Sequence, residues 1–405
     1  MSVQRRVIIL GSTGSIGTQA LDIIRANPGR FSIVGLSAGG SNIELLAAQV
    51  IEFNVEHVAL AHASSAQDLQ LALYAHAKKN GYSQGEYTLP KLYIGPQAAS
   101  EVAALACDVV LNGITGAVGL MPTVAALKAG TTLALANKES LVIGGKAVTS
   151  LAAPGQIVPV DSEHSALAQA LRSGTHAEVK KLVLTASGGP FRGKTRADLE
   201  QVTSEMALNH PTWSMGPVVT VNSSTLMNKG LEIIEAHLLF DIPMDQIDVV
   251  VHPQSVIHSM VEFVDGSTIA QASPPDMHLP IALGLNWPDR LAGSTTPCDW
   301  TSSTSWTFEP VDHVTFPAIG LAKKVGTAGG TAPAVFNSAN EVAVEQFLAG
   351  NLPYLGIVEL VTTVVEHHFS HGFVSDSELT IDEVLNAHAW AEQYSRQLLN
   401  SIGDF

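Results

Sequence analysis

The sequence predicts an α/β protein in three parts: an N-terminal doubly wound parallel sheet, a central α+β domain with a mixed sheet, and a C-terminal α-helical domain. Through about residue 150, short apolar runs alternate with segments of helical periodicity, as in parallel strands joined by crossover helices. From about 150 to 290, strand-like segments follow one another closely. Residues 312–405 show mostly helical periodicity. The predicted domains are therefore 1–150, 151–290 and 312–405, with a Ser/Thr/Pro-rich linker at 291–311.

Composition limits the class of protein. The chain has 405 residues, 21 of them basic and 37 acidic, so its formal net charge is −16. Hydrophobic residues make up 46 % and charged residues 14 %, which excludes intrinsic disorder. The acidity argues against nucleic acid or a membrane surface as a partner. The only cysteines, Cys107 and Cys298, exclude a disulfide scaffold and indicate a reducing compartment, so we expect a cytoplasmic protein.

Each element of the first domain is predicted from its residue pattern. Short apolar runs predict five strands: Val7–Leu10, Ser32–Leu36, His57–Leu60, Asp108–Leu111 and Thr132–Ala136. Helical periodicity predicts three helices: Gly17–Ala26, Asn42–Phe53 and Pro122–Ala129. The polar segment Lys78–Lys91 is expected to be a surface excursion. Strands and helices that alternate in this way form a parallel sheet with right-handed crossovers.

The pattern changes in the rest of the chain. Four strands are predicted in the central domain: Lys181–Thr185, Val218–Val221, Asp248–Val251 and Ser255–Phe263. Two helices are predicted there as well: His164–Leu171 and Ser224–Phe240. In the C-terminal domain, Asn337 is expected to cap a helix that ends near Gly350, and Ile381–Leu399 is amphipathic.

A glycine-rich turn follows the first predicted strand. Residues Gly11–Gly17 read GSTGSIG, and such glycines permit a tight turn that brings backbone amides close to a pyrophosphate at the start of a helix. This predicts a Rossmann-like dinucleotide site. The second strand ends at Leu36-Ser37 without an Asp or Glu to accept from a ribose hydroxyl. Because Ser37, Ser41 and Asn42 could donate to a ribose phosphate, NADP is favoured over NAD.

Carboxylates in two segments predict a site for a divalent cation. Asp161 and Glu163 lie two residues apart in PVDSEHSA and would point the same way on an extended backbone. N-capping of the helix that follows explains the pair equally well. A third carboxylate can come from the helix that carries Asn228, Glu232 and Glu235 at i, i+4 and i+7. Three carboxylates without cysteine select Mg²⁺ or Mn²⁺ over zinc.

Further polar segments supply candidate ligand-binding residues. Asn137, Lys138 and Glu139 follow the last strand of the first domain and would face a cofactor cleft, although a helix cap with solvated charges explains them too. Ser187 and two glycine amides in TASGGPFR suit an anion, and HPTWSMG suggests a mobile lid whose Trp213 covers the ligand or serves as a packing anchor. The segment HPQSVIH places two histidines on one side of a strand, where core positions are favoured over a zinc pair: His252 and His258. A further set of donors suits a phosphate monoester: Ser223, Asn228 and Lys229.

Assembled in order, these segments resemble the 1-deoxy-D-xylulose 5-phosphate reductoisomerase family. The matching motifs span residues 11 to about 290: GSTGSIG, ANKESLV, PVDSEH, SGGPFR, HPTWSMG, MNKGLEIIEA, HPQSVIHSMVEF and PPDMHLPIA. The helical tail is similar to that family's C-terminal domain. The resemblance implies NADPH- and metal-dependent rearrangement and reduction of 1-deoxy-D-xylulose 5-phosphate to 2-C-methyl-D-erythritol 4-phosphate, in isoprenoid biosynthesis. It also implies a homodimer formed through the central domain.

The resemblance implies roles for individual residues. The cofactor-binding residues would be Thr13, Gly14, Ser15, Ile16, Gly39, Asn42, Asn137, Glu139 and Gly216. The metal ligands would be Asp161, Glu163 and Glu232. The substrate-binding residues, in part on a lid at about 187–217, would be Lys138, Ser162, Glu163, Ser187, His210, Trp213, Ser223, Asn228, Lys229 and Glu232. Four of these would also be catalytic: Lys138, Glu163, His210 and Glu232. In one departure from the family pattern, Gly40-Ser41-Asn42 stands where many members have a Lys after the glycine that matches Gly39.

Two other functions fit part of the pattern. Another NADP-dependent oxidoreductase that acts on a phosphorylated sugar would show turnover without skeletal rearrangement, and the carboxylate triad counts against it. A non-catalytic NADP-binding sensor would need no carboxylate triad. Consumption of NADPH in the presence of deoxyxylulose phosphate and Mg²⁺ or Mn²⁺ separates an enzyme from a sensor.

Overall fold

The chain folds into two compact units. A computed structural model describes residues 4–83, 87–213 and 215–402. The first unit comprises the chain up to Ser140 together with Leu151–Asp161 and Met277–Ser294, and the second comprises the remainder. The elements before Asp161 are, in chain order, β1 (Arg5–Leu10), α1 (Ser15–Ala26), β2 (Phe31–Ala38), α2 (Ile43–Glu52), β3 (His57–Leu60), α3 (Ala66–Lys79), β4 (Lys91–Ile94), α4 (Ala98–Ala103), β5 (Val109–Asn112), α5 (Leu120–Lys128), β6 (Thr132–Leu135), α6 (Lys138–Thr149) and β7 (Ile157–Pro159).

The strands of the first unit form one parallel sheet of seven strands in the order β4-β3-β2-β1-β5-β6-β7. β1 lies at the centre, paired with β2 on one side and β5 on the other, and Val7–Leu10 within it are fully buried. The strand order changes direction between β1 and β5, as in other doubly wound sheets. The predicted doubly wound parallel sheet is therefore confirmed.

All five strands predicted for this unit are present, with ends displaced by at most two residues. Two more strands, β4 and β7, were not predicted. They lie at the two edges of the sheet, where β4 begins and ends with an exposed residue and β7 spans 3 residues that end at Pro159, so neither is a continuous apolar run. Residues 84–86 of the predicted surface excursion lie outside the described residues.

The remaining elements belong to the second unit, except for α11. They are α7 (Ser162–Ala170), β8 (Val179–Ala186), α8 (Ser204–Leu208), α9 (Pro217–Ser224), α10 (Met227–Phe240), β9 (Ile247–Val251), β10 (Ile257–Phe263), β11 (Thr268–Ala272), α11 (His278–Asn286), β12 (Glu309–Pro310), α12 (Ala318–Ala328), α13 (Ala332–Leu348), α14 (Gly356–His371) and α15 (Ile381–Ile402). Five strands form a sheet in the order β11-β10-β8-β9-β12. β8 and β9 are parallel and the other pairs are antiparallel, so the predicted mixed sheet is confirmed.

One core joins this sheet to the C-terminal helices. Leu182 and Leu184 of β8 are fully buried with Leu231 of α10 and Phe336 of α13. Because the helical region packs into the same hydrophobic cluster as the sheet, it belongs to the second unit in the structure.

Two predicted elements around residue 220 are wrong. The apolar run Val218–Val221 is helical, in α9, because Gly216 precedes Pro217 in the first turn and the Thr220 hydroxyl donates to the Gly216 carbonyl over 2.9 Å. The single helix predicted over Ser224–Phe240 is interrupted, since Leu226 has φ of 59° and α10 starts after it.

One C-terminal expectation also needs correction. Asn337 lies inside α13, whose first turn carries Pro333, and its amide donates to the Glu341 carboxylate rather than capping a helix. At the end of the segment 291–311, the short strand β12 pairs with β9.

Helix α11 and its flanks belong to the first unit. The sequence predicts this segment within the second domain and the linker. Arg30 donates to Asn286 over 3.0 and 2.8 Å, and Arg5 donates to the Trp287 carbonyl over 3.1 Å, so two N-terminal arginines hold the segment. Among the described helices, none combines the length and hydropathy that crossing a membrane requires.

Candidate active site

Two of the three predicted metal ligands, Glu163 and Glu232, lie together in the second unit. Asp161 follows β7 at the end of the first unit, and the next residue, Ser162, starts α7. Glu163 lies in the first turn of α7, and Glu232 lies on α10. Oxygens of Glu163 and Glu232 both bind the ammonium group of Lys229, so these two carboxylates lie side by side in the second unit. The backbone is helical from Ser162, so Glu163 is presented by a helix start and not by the extended geometry that the sequence predicts.

Lys229 is buried between two of these carboxylates. Its Nζ lies 2.7 Å from Oε1 of Glu163 and also donates to Glu232, one turn further along α10. The Lys229 side chain is only 4 % exposed. Burial disfavours the charged ammonium, but the Glu163 and Glu232 carboxylates outweigh that effect and raise the pKa of Lys229. Lys229 is therefore a cation at neutral pH.

The chemistry of the donor set fits a hard divalent ion. All three candidate ligands are carboxylates, and Glu232 is 1 % exposed, so it cannot rely on solvent for charge compensation. Lys138 forms an ion pair with Asp161, and Asn228 donates to Glu232. Each acidic group is thus oriented by a neighbouring donor, as ligands for Mg²⁺ or Mn²⁺ commonly are.

A second cluster in the second unit combines three predicted substrate-binding residues. His210 Nε2 lies 3.0 Å from Oγ of Ser187, in the loop after β8, and 3.2 Å from Oγ of Ser223, on α9. The Gly189 amide donates to Ser187 Oγ over 3.2 Å. Two hydroxyls from separate segments therefore lie within hydrogen-bonding distance of one imidazole nitrogen. This arrangement is suited to the oxygens of a phosphate.

The hydrogen bonds of His210 determine its tautomer. Its Nδ1 accepts from the backbone amides of Thr212 and Trp213 over 3.1 and 2.9 Å. A nitrogen that accepts carries no hydrogen, so in the neutral ring Nε2 bears it and can donate to a serine hydroxyl. Burial lowers the pKa of His210, which favours this neutral form.

Trp213 contacts a histidine that the sequence assigned to the core. The rings of Trp213 and His258 lie edge to face with centroids 6.1 Å apart, and His258 is 5 % exposed. Burial lowers the pKa of His258. His252 lies before β10 and not on it, so the expected alignment of the two histidines on one strand is wrong; its Nε2 accepts from the Val256 amide. Ser214, within the predicted lid, lies outside the described residues.

The glycine turn after β1 is built without room for side chains. Gly11 has φ of +81°, and a Cβ at Gly17 would lie 2.3 Å from the Gly11 carbonyl oxygen. Gly14 occupies the N-cap position of α1 without a side chain to bond the first amides. The helix N-terminus, with Ser15 and Ile16 in its first turn and Thr13 before it, is thus presented as a run of main-chain donors.

Other predicted cofactor residues have structural hydrogen bonds. Asn137 is 2 % exposed and its amide donates to the Gly116 carbonyl over 3.0 Å and to the Glu139 carboxylate over 3.0 Å. Asn42 caps α2 by accepting from the Leu45 amide over 3.2 Å. A Cβ at Gly39 would meet nothing within 4 Å, and the same holds for Gly216, which belongs to the second unit.

Sequence reasoning assigned no role to a buried pair beside the carboxylates. His164 on α7 and Glu235 on α10 approach to 3.2 Å. In the sequence, Glu235 can be recognised only as the third member of a polar stripe on a helix. His164 can be recognised only as the residue that follows Glu163. Their pairing depends on how two helices cross, which no spacing within either helix reveals.

Three family models match successive parts of the chain. The model described as 1-deoxy-D-xylulose 5-phosphate reductoisomerase matches residues 7–145. The model of its C-terminal domain matches residues 157–240, and a DXP reductoisomerase C-terminal domain matches residues 272–394.

Named relatives cover nearly the whole chain. The 1-deoxy-D-xylulose 5-phosphate reductoisomerase of Kitasatospora griseola is 58 % identical over 97 % of this chain and 99 % of its own, and that of Beutenbergia cavernae is 59 % identical over 98 % and 97 %. The solved reductoisomerase from Zymomonas mobilis in complex with NADPH has a TM-score of 0.88 at 36 % identity, covering 98 % of this chain and 100 % of that one. A DOX-P reductoisomerase in complex with NADPH, fosmidomycin and magnesium also has a TM-score of 0.88, at 35 % identity over 99 % of both chains. The chain belongs to the 1-deoxy-D-xylulose 5-phosphate reductoisomerase family.

Proposed function

We propose that the chain converts 1-deoxy-D-xylulose 5-phosphate to 2-C-methyl-D-erythritol 4-phosphate, with NADPH and Mg²⁺ or Mn²⁺, in isoprenoid precursor biosynthesis. The observation that carries this proposal is the pair of carboxylates Glu163 and Glu232 around the ammonium of Lys229, in a chain 58 % identical to a named reductoisomerase. The proposed domains are 1–150 for the nucleotide, 151–290 for catalysis with a lid at about 187–217, and 312–405 after the 291–311 linker.

Asp161, Glu163 and Glu232 would hold the divalent ion. Bound there, the ion would supply a Lewis acid for the ketone and hydroxyl oxygens of the sugar. The surrounding donors support this role, because Lys138 pairs with Asp161 and Asn228 with Glu232, which orients the carboxylates.

Ser187, His210 and Ser223 would bind the substrate phosphate. Their polar atoms lie 3.0–3.2 Å apart around His210 Nε2. In the tautomer that the backbone selects, His210 donates from Nε2, and both hydroxyls can turn their hydrogens to an anion. Asn228 and Lys229 begin α10 nearby along the chain and would add a further donor and a positive charge.

Lys138 and Ser162 would act on the reacting end of the substrate. The Lys138 side chain is largely buried, 11 % exposed, and is held by Asp161, so its ammonium can stabilise negative charge that develops on a substrate oxygen. The Ser162 hydroxyl donates to Glu163 over 2.5 Å and lies in the first turn of α7. Trp213 would cover the bound substrate and exclude water from the reaction.

The N-terminal turn would bind NADPH. Thr13, Gly14, Ser15 and Ile16 would surround the pyrophosphate through main-chain amides at the start of α1. The adenosine end would contact Gly39 and Asn42. Three residues would line the nicotinamide half: Asn137, Glu139 and Gly216.

The test measures NADPH consumption and product identity together. Purified chain with Mg²⁺ or Mn²⁺, NADPH and deoxyxylulose phosphate is expected to lose NADPH absorbance, and carbon-13 NMR is expected to reveal the branched methylerythritol skeleton. A reduced but unbranched product would favour the alternative oxidoreductase. Binding of NADPH without turnover would favour a sensor.

We propose further that two copies of the chain form a homodimer through the second unit. β11 ends the sheet order, so one row of its main-chain groups faces away from the sheet, and Ile269 on it is 38 % exposed. Light scattering is expected to give twice the chain mass, and Ile269→Lys is expected to favour the monomer. A wild-type monomer would contradict the dimer.

We also propose a cytoplasmic location. Cys107 and Cys298 are both free and partly buried, which suits a reducing compartment. Cell fractionation with an antibody against the chain tests this, and recovery in a membrane or secreted fraction would contradict it.

A further inference from the structure

His164 and Glu235 form a pair of polar groups in the interior of the second unit. His164 Nδ1 lies 3.2 Å from Oε2 of Glu235, and the two side chains are 0 % and 1 % exposed. Burying such groups is unfavourable unless each finds a partner, and apolar side chains of similar volume would pack two helices together as well or better. Packing alone therefore does not account for this pair.

The second ring nitrogen of His164 is bound to the backbone of a candidate metal ligand. His164 Nε2 lies 2.8 Å from the carbonyl oxygen of Glu232. A carbonyl oxygen can only accept, so Nε2 carries a hydrogen and donates it. The imidazole is thus held at one nitrogen by the main chain at Glu232 and approached at the other by Glu235, one turn further along the same helix.

The His164 ring is also linked to Glu163, through the backbone of α7. His164 follows Glu163 directly in α7, so the orientation of the His164 ring and the direction of the Glu163 side chain depend on the same turn of backbone. Glu235 and Glu232 lie three residues apart on α10. One ring therefore couples the turn that carries Glu163 to the turn that carries Glu232.

We propose that Glu235 is a positioning residue: through His164 it holds the Glu163 and Glu232 carboxylates in the arrangement that binds a divalent cation. This rests on the metal site of the proposed function. Removing a residue that orients a metal ligand typically weakens metal affinity by about 10–100-fold. Glu235 itself needs no contact with the ion.

The experiment measures Mn²⁺ affinity of the full chain by electron paramagnetic resonance of the free ion. Glu235→Met keeps volume and helix propensity, so it is expected to fold with wild-type thermal stability and to bind Mn²⁺ about 10–100-fold more weakly. Glu235→Gln is expected to retain affinity close to wild type, because its amide can donate to Nδ1 of His164. NADPH affinity is expected to stay unchanged in both variants.

A matched control separates positioning from helix stability. His237 lies on the same helix and its Nδ1 approaches the Ile242 carbonyl to 2.7 Å at the helix end. His237→Ala is expected to lower the melting temperature while leaving Mn²⁺ affinity unchanged. His164→Leu is expected to weaken Mn²⁺ binding as Glu235→Met does, and the double variant to weaken it no further, because the two residues act as one unit.

The outcomes are distinct. Wild-type Mn²⁺ affinity in Glu235→Met or in His164→Leu overturns the proposal, and so does full additivity in the double variant. If Glu232→Gln leaves Mn²⁺ affinity unchanged, the proposed metal site itself fails and the positioning role fails with it. If Glu232→Gln weakens Mn²⁺ binding and Glu235→Met does not, the metal site stands and only the positioning role is overturned.

Discussion

The ammonium group of Lys229 lies 2.7 Å from Oε1 of Glu163, in the interior of the second unit. The contact joins the first turn of α10 to the first turn of α7, so one buried cation links the two helices that carry candidate metal ligands. Its charge also balances that of Glu232, whose side chain is 1 % exposed.

Replacing Lys229 with Ala is expected to raise the KM for the phosphorylated substrate, because the proposed substrate-binding set loses its positive charge. It is also expected to lower the free energy of unfolding in EDTA by about 3–5 kcal/mol, since the buried Glu232 and the partly buried Glu163 lose their partner. Steady-state kinetics and urea denaturation measure the two effects.

A surface ion pair provides the control for that variant. Lys180 Nζ lies 2.6 Å from Glu262, but the Lys180 side chain is 58 % exposed. Lys180→Ala is expected to change the unfolding free energy by less than about 1 kcal/mol and to leave KM unchanged. Identical behaviour of the two variants would argue against a special role for Lys229.

Glu232→Gln is expected to abolish turnover while NADPH affinity stays nearly intact. The change removes one of three carboxylate ligands and leaves the first unit untouched. NADPH oxidation reports turnover, and quenching of protein fluorescence reports NADPH binding. Glu262→Gln, on the surface, serves as control, and substantial activity in Glu232→Gln would remove this residue from the metal site.

Gly17→Ala is expected to weaken NADPH binding at least about tenfold. The added Cβ would lie 2.3 Å from the Gly11 carbonyl oxygen and 2.4 Å from the Ser12 Cα, so the turn before α1 must open. Mn²⁺ affinity is expected to remain at the wild-type level. Gly320→Ala, where a Cβ meets nothing within 4 Å, is the control, and an unaltered NADPH affinity in Gly17→Ala would contradict the proposed role of the turn.

His368 is expected to make stability depend on pH. Burial, with a smaller effect from the neighbouring His367, lowers the pKa of His368 to about 4. The unfolded side chain has a pKa of about 6.5, so the unfolded state takes up the proton first. The contribution of His368 is therefore complete above about pH 6.5 and is lost as the pH falls towards 4.

The melting temperature is measured between about pH 7.5 and about pH 4.5. This range covers most of the interval between the folded and unfolded pKa values of His368. His368→Gln can keep the hydrogen bond to Thr331 Oγ1, which lies 2.8 Å from His368 Nε2, and is expected to flatten the acid side of the curve. The same substitution at exposed His371 is the control. A curve for His368→Gln that parallels the wild type would disprove the assignment.

The sequence and the structure agree most closely for the first unit. Its strands are continuous apolar runs because they are buried on both faces of a parallel sheet, and its glycine turn has a spacing that few other structures require. Around residue 220 the agreement fails. Val218–Val221 has strand propensity, yet Gly216 and Pro217 start a helix there, and tertiary packing overrides the preference of single residues.

The sequence by itself determined the fold class, the family and the residue types that a metal and a phosphate need, because these depend on local pattern and on motifs read along one segment. Only the tertiary structure decided which groups meet. Lys229 reaches Glu163, His210 reaches both Ser187 and Ser223, and His164 reaches Glu235 across helices that are distant in the chain. The physical reason is that contact distance depends on how packed elements cross, and burial then sets the charge state of each group it encloses.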